Sequence, residues 1–200
     1  MRLGVLVSGR GSNLDAVLTA VAAGRLPGVR PVIVISNRAD AGALEVAQRH
    51  GVTSLVLERS AFRGRGERDA AIGQALTQAG VNLALLAGYD ELLRTTYFGA
   101  FAGRTVNIHP SLLPRHGGPG MIGLAVHAAV LAAGEPLSGV TIHDVTPALD
   151  AGPPILQVEV PVRDGDTPES LAARVLAVEH QAVVEVLARL SASMTDAPRP

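Results

Sequence analysis

The 200-residue sequence contains no cysteine, no tryptophan and no lysine. Without cysteine there is no disulfide, no thiolate metal site and no thiol nucleophile. Without lysine, all 17 basic residues are arginines, which excludes Schiff-base chemistry and a P-loop whose lysine grips a phosphate. Aromatic residues make up only 2% of the chain and the formal net charge is -1. A nucleic-acid surface, which needs a basic face and stacking rings, is therefore not expected. No apolar run approaches the roughly 18 residues of a membrane-spanning helix. The opening "MRLGVLVSGRGSN" turns polar and glycine-rich too early for a signal peptide, so a cytoplasmic protein with small-molecule partners and no membrane partner is expected.

What is present is core material. At 48% hydrophobic residues the chain can bury a sizeable interior, and one domain over residues 1–191 with a flexible tail over 192–200 is expected. Short apolar runs, "RLGVLVS", "RPVIVIS", "TSLVLE", "NLALLA" and "RTVNIH", alternate with "NLDAVLTAVAAG", "AGALEVAQRHG" and "RDAAIGQALTQAG", whose apolar residues fall at helical spacing. This alternation predicts βαβ units and an α/β fold with a doubly wound, mostly parallel sheet. Each helical segment closes on a glycine suited to a C-cap. After Pro110 the rhythm changes: "MIGLAVHAAVLAAG" predicts a helix, "SGVTIHDV" and "PPILQVEVPVR" a C-terminal strand pair, and "TPESLAARVLAVEHQAVVEVLARL" a long capped helix.

The first strand runs into "SGRGSNL" where a helix begins. Unpaired amides at a helix start carry the positive end of its dipole, so Gly9, Gly11, Ser12 and Asn13 can hold a phosphate without lysine. A plain tight turn with a Ser or Asn cap explains the same residues. A dinucleotide site fits less well. The third glycine of G-x-G-x-x-G is replaced by Leu14, and strand two ends in Ser36-Asn37 rather than an acidic residue.

In "TVNIH", Asn107 and His109 share one face of a strand that ends where open α/β sheets place their ligands. The pair can polarise a carbonyl and hold an oxyanion, or it can simply end a strand. "LDAGPPILQ" places Asp150 in a turn beside the strand pair, where a carboxylate near an imidazole would keep it charged and oriented. Together the three can bind an acyl oxygen and shuttle the proton of an attacking amine without a metal. His50, His127 and His143 are expected in satisfied structural roles, since their spacing matches no H-E-x-x-H pattern. No G-x-S-x-G elbow occurs.

Taken in order, "SGRGSN", "SNRADAGALEVA", "LLAGYDELL", "NIHPSLLP", "SGVTIHDVTPALDAGPPILQ" and "VLAVEH" resemble the phosphoribosylglycinamide formyltransferase family of folate-dependent enzymes. The resemblance reaches to about Leu190. It implies an enzyme of purine biosynthesis that takes glycinamide ribonucleotide as acceptor and 10-formyltetrahydrofolate as co-substrate. It also implies catalytic roles for Asn107, His109 and Asp150, a phosphate loop at Gly11, Ser12 and Asn13, and ribose recognition by Glu179. By the same resemblance the folate is met by Arg65, by Leu86, Gly88, Tyr89, Asp90, Glu91, Leu92 and Leu93, and by Val145 and Thr146. The sequence departs from the family's pattern at three places. Asp90-Glu91 stands where Met-Arg is more frequent, "RHGGPGMIGLAVH" is a longer glycine-rich loop, and Leu176 occupies a position often polar, for which Arg10 can compensate. Two sister enzymes share the N-x-H and aspartate core. Methionyl-tRNA formyltransferase adds a tRNA domain and formyltetrahydrofolate deformylase a regulatory one, neither of which fits this length. A phosphate-ligand sensor would keep the glycine loop without needing all three polar residues. Either a monomer or a homodimer is compatible with the sequence.

Overall fold

The computed structural model describes residues 1–195. Seven strands form one sheet in the order β3-β2-β1-β4-β5-β6-β7. They are β1 (Arg2–Val7), β2 (Arg30–Ser36), β3 (Ser54–Val56), β4 (Leu83–Leu86), β5 (Arg104–His109), β6 (Leu137–Asp144) and β7 (Pro154–Pro161). The helices are α1 (Ser12–Ala22), α2 (Gly42–Arg49), α3 (Arg65–Gln78), α4 (Thr95–Ala100), α5 (Leu124–Ala132) and α6 (Pro168–Thr195). The chain divides into two compact units, Met1–Val106 with the residues from Leu187 onward, and Asn107–Val186.

In the first unit β1 pairs in parallel with β2 and β4, and β2 with β3. Their apolar runs are buried on both faces: Val5, Leu6, Val34, Ile35, Leu83 and Leu85 are inaccessible to solvent. Each such side chain contributes about 1.5–3 kcal/mol by leaving water. The glycines expected to end α1, α2 and α3, namely Gly24, Gly51 and Gly80, adopt φ of 71°, 66° and 64°, the left-handed geometry of a C-cap. Helix α4 was not legible in "TTYFGA", a short stretch rich in β-branched and aromatic residues. Packing supplies what propensity lacks. Tyr97 is fully buried, its hydroxyl lies 2.8 Å from that of Thr105, and Gly73 of α3 lets α4 approach so closely that a Cβ there would stand 2.8 Å from that of Ala100.

In the second unit β6 and β7 pair antiparallel, as expected of the C-terminal strand pair, with Val140 opposite Val158 and Thr141 opposite Gln157. The register shifts between Ile142 and His143, an irregularity of the kind that re-aims a side chain. Helix α6 opens on a reciprocal cap. Ser170 N donates to Thr167 Oγ1 at 3.2 Å and Thr167 N donates to Ser170 Oγ at 2.9 Å. The helix continues through Thr195, so the first residues of the expected tail are helical, with Ser191 buried; positions 196–200 lie outside the described residues. Among the described residues, no helix is long and apolar enough to cross a membrane.

Candidate active site

Asn107 and His109 leave β5 on the same face, as the strand alternation requires. The loop that follows is tied down by Thr141 of β6. Its hydroxyl donates to Ser111 O at 2.7 Å and accepts from Leu113 N at 3.0 Å, while Gln157 of β7 donates to the Leu113 carbonyl at 2.8 Å. So anchored, the loop presents the His116 carbonyl to His109 Nε2 at 2.9 Å. A carbonyl only accepts, so neutral His109 carries its proton on Nε2 and leaves Nδ1 bare. That nitrogen faces Asp150 Oδ1 at 3.9 Å, too far for a hydrogen bond.

Asp150 is fixed from its other oxygen, which accepts from Gly118 N at 2.8 Å. The long glycine-rich loop thus delivers an amide to the carboxylate. His116 and Asp150 are the two described non-glycine residues with positive φ, 53° and 51°. Such conformations cost about 1–3 kcal/mol each and persist where the surroundings over-determine them. The side chains of His109 and Asp150 are 5% and 10% exposed, so the cluster is largely withdrawn from water.

His143, expected in a satisfied structural role, is hydrogen-bonded at both ring nitrogens and lies beside this cluster. Its Nδ1 donates to the Asp144 carbonyl at 2.9 Å, which leaves Nε2 as an acceptor for Asn107 Nδ2 at 3.2 Å. The same Nε2 lies 3.9 Å from Asp150 Oδ1. Burial pushes the pKa of His143 below its ordinary 6.5, which suits a neutral acceptor. One amide hydrogen of Asn107 is thereby committed and the other is left to point elsewhere. The sequence signal for His143 was its place two residues beyond Thr141, on the same face of β6. His127 is buried, and its pKa is lowered by desolvation first and by His109 second. His50, by contrast, caps a structural pair with Asp15 at 3.2 Å, as expected.

The other predicted residues fall as follows. Gly11 is the N-cap of α1 with φ 83°, and a Cβ on it would meet Ala43 Cα at 2.6 Å. The demand for glycine is therefore explained by packing within the first unit as well as by any ligand. Ser12 and Asn13 form the first turn of α1, and Asn13 is nearly buried. Glu179 is nearly buried on α6. Arg65 is exposed at the start of α3. Val145 and Thr146 are half-buried after β6.

Residues 88–94 have no regular secondary structure, and their acidic side chains turn back into the first unit. Arg68, with no exposed surface, grips Glu91 through Nη1 at 2.7 Å and Nη2 at 2.6 Å. This pair lowers the Glu91 pKa to about 2 and raises that of Arg68. Asn37 donates to Asp90 at 2.9 Å and to Glu91 at 3.2 Å, and Arg38 pairs with Asp90. The side chains of Asp90 and Glu91, two of the residues expected near the folate, thus meet Asn37, Arg38 and Arg68. Among the described residues there is no group of three or more His, Asp or Glu side chains placed to hold a metal ion.

The sequence and this fold match known proteins. The formyl transferase family model covers residues 1–187, so the chain belongs to the formyl transferase family. Phosphoribosylglycinamide formyltransferase of Escherichia coli is 39% identical over 181 residues, 90% of this chain and 82% of that protein. The chloroplastic phosphoribosylglycinamide formyltransferase of Vigna unguiculata is 40% identical over 94% of this chain, which spans 60% of that relative's length. Among solved structures, glycinamide ribonucleotide transformylase 1 from Symbiobacterium toebii superposes with a TM-score of 0.90 at 44% identity, covering 96% of this chain and 88% of that one.

Proposed function

We propose that the protein transfers the formyl group of 10-formyltetrahydrofolate to the amine of glycinamide ribonucleotide, a step of de novo purine biosynthesis, as a cytoplasmic enzyme whose residues 1–191 act as one functional domain. The observation that carries this reading is the convergence of Asn107 and His109 of β5 with Asp150, distant from both in sequence, on one largely buried cluster with one amide hydrogen and one imidazole nitrogen left uncommitted.

The neutral amine of the ribonucleotide attacks the formyl carbon, forming the new C–N bond and placing negative charge on the formyl oxygen. Asn107, oriented by His143, donates its remaining amide hydrogen to that oxygen. The proton lost by the amine passes to the His109–Asp150 pair, whose 3.9 Å gap leaves room for a donor to reach both groups. His109 then returns the proton to the folate nitrogen as the C–N bond to the donor breaks. Holding amine and formyl group together supplies much of the acceleration. The acceptor's phosphate is met by Gly11, Ser12 and Asn13 at the start of α1, and its ribose hydroxyls by Glu179. The donor is met by Arg65, by residues 86–93 and by Val145 and Thr146.

The test is formyl transfer in purified protein with and without the ribonucleotide. Acceptor-dependent product is expected. Loss of the formyl group from the folate at the same rate without acceptor would replace transfer by hydrolysis.

A further inference from the structure

The polar groups around residues 88–94 pull the segment onto its scaffold at both ends. At one end Asp90 N donates to Ser8 Oγ at 3.0 Å. At the other, Arg94 N donates to Asp69 Oδ2 at 3.2 Å. Between them Glu91 is clamped by the Arg68 fork and by Asn37, which engages Oε1 together with Arg68. The apolar residues of the segment divide: Leu93 is 1% exposed and Leu92 41%. An irregular stretch with an outward apolar residue would be mobile if its flanks were loose, and a fully buried bidentate arginine is a costly way to prevent that unless the shape matters.

We propose that Arg68 is a positioning residue for the formyl donor: by clamping Glu91 it fixes the backbone of residues 88–93 in the shape that receives the folate ring system. The proposal rests on the reading of residues 86–93 as part of the donor site. Arg68 has no exposed surface, so it acts through Glu91 and not by contact with the folate. Glu91 in turn serves the donor through its backbone, because its carboxylate oxygens are engaged by Arg68 and Asn37. This accounts for an acidic pair at positions 90 and 91: the side chains hold the segment, and the segment holds the ligand.

The test uses the full-length protein with Arg68→Met, Arg68→Lys and Glu91→Gln, measuring KM for each substrate, kcat at saturating donor, and thermal unfolding. Arg68→Met is expected to raise the KM for 10-formyltetrahydrofolate about tenfold and Glu91→Gln about threefold, with acceptor KM and kcat within about twofold of wild type. Arg68→Lys keeps the charge without the fork and is expected to fall between wild type and Arg68→Met. Unchanged donor KM in folded variants, or equal rises in both KM values, would overturn the positioning role. Should Arg68→Met fail to fold, Glu91→Gln, which alters a side chain 23% exposed, decides the matter by the same two outcomes. A wild-type protein that transfers no formyl group at all would overturn the functional reading instead, which keeps the two failures apart.

Discussion

Arg68 and Glu91 meet through two hydrogen bonds of 2.7 and 2.6 Å, whereas His109 and Asp150 face each other across 3.9 Å. Both are clusters of polar side chains withdrawn from water, and each lies within one compact unit. The first is a tight charge pair. Arg68 and Glu91 meet in a fork geometry that suits both partners, with Asn37 donating to Glu91 and Asp90 beside it. The second is held from behind, by the His116 carbonyl on one imidazole nitrogen, by Gly118 N on one carboxylate oxygen and by His143 on Asn107. Its front atoms remain unspent. A charge pair that holds a segment in shape can spend its charges on each other; a group that is to meet a changing charge must keep capacity in reserve.

The contrast breaks most sharply at the two charged members. Arg68→Ala leaves Glu91 and the buried Asp69 without their cation, and is expected to cost roughly 3 kcal/mol of stability in denaturant unfolding, the lower end for broken buried pairs. Asp150→Asn keeps shape and Gly118 bond, so stability is expected to change by less than about 1 kcal/mol. Its kcat is expected to fall about 100-fold or more, because the proton loses its acceptor. A reversal, with Asp150→Asn unstable but active, would make the second cluster structural.

Smaller effects distinguish the two clusters further. His143→Ala removes the acceptor that orients Asn107 and is expected to lower kcat about tenfold with both KM values little changed; steady-state kinetics on the folded variant checks this. Acid dependence separates the clusters as well. The pKa of Glu91 falls from 4.5 to about 2 in the folded state. Its contribution to stability is therefore complete above pH 4.5 and is lost as pH falls toward 2. For His143 the folded pKa is below 6.5. The neutral acceptor form of His143 thus extends to lower pH than that of a free imidazole, and activity is expected to fall once it protonates. Unfolding and turnover measured over the same pH series follow the two losses separately. The smallest effect is at the α6 cap, where Thr167→Ala is expected to cost about 1 kcal/mol of stability and leave turnover unchanged.

Much of this was readable from the chain. Buried parallel strands advertise themselves as continuous apolar runs, and glycines closed the helices where the periodicity ended. Asn107, His109 and Asp150 stood out because each polar group interrupts an apolar strand or a tight turn. What was not readable depended on tertiary contacts. Helix α4 forms because Tyr97 and Gly73 pack it. His143 meets Asn107 next to a register shift in β6 that no sequence pattern announces. The inward turn of Asp90 and Glu91 requires Arg68 and Asn37, which are remote in sequence. Gly11 suited a phosphate loop in the sequence, yet its missing side chain also makes room for Ala43. Ser12→Ala is therefore a cleaner probe of phosphate binding than any substitution of Gly11.

The unspent atoms of Asn107 and His109 are expected to act on the transition state. The most direct measurement compares kcat with equilibrium binding of both substrates in the same folded preparations of Asn107→Ala and His109→Ala. Loss of an oxyanion donor typically lowers kcat by about 100- to 1,000-fold, and that fall is expected here with binding of both substrates within about threefold of wild type. Near-wild-type kcat in both folded variants would contradict it and leave the cluster as the polar end of a strand.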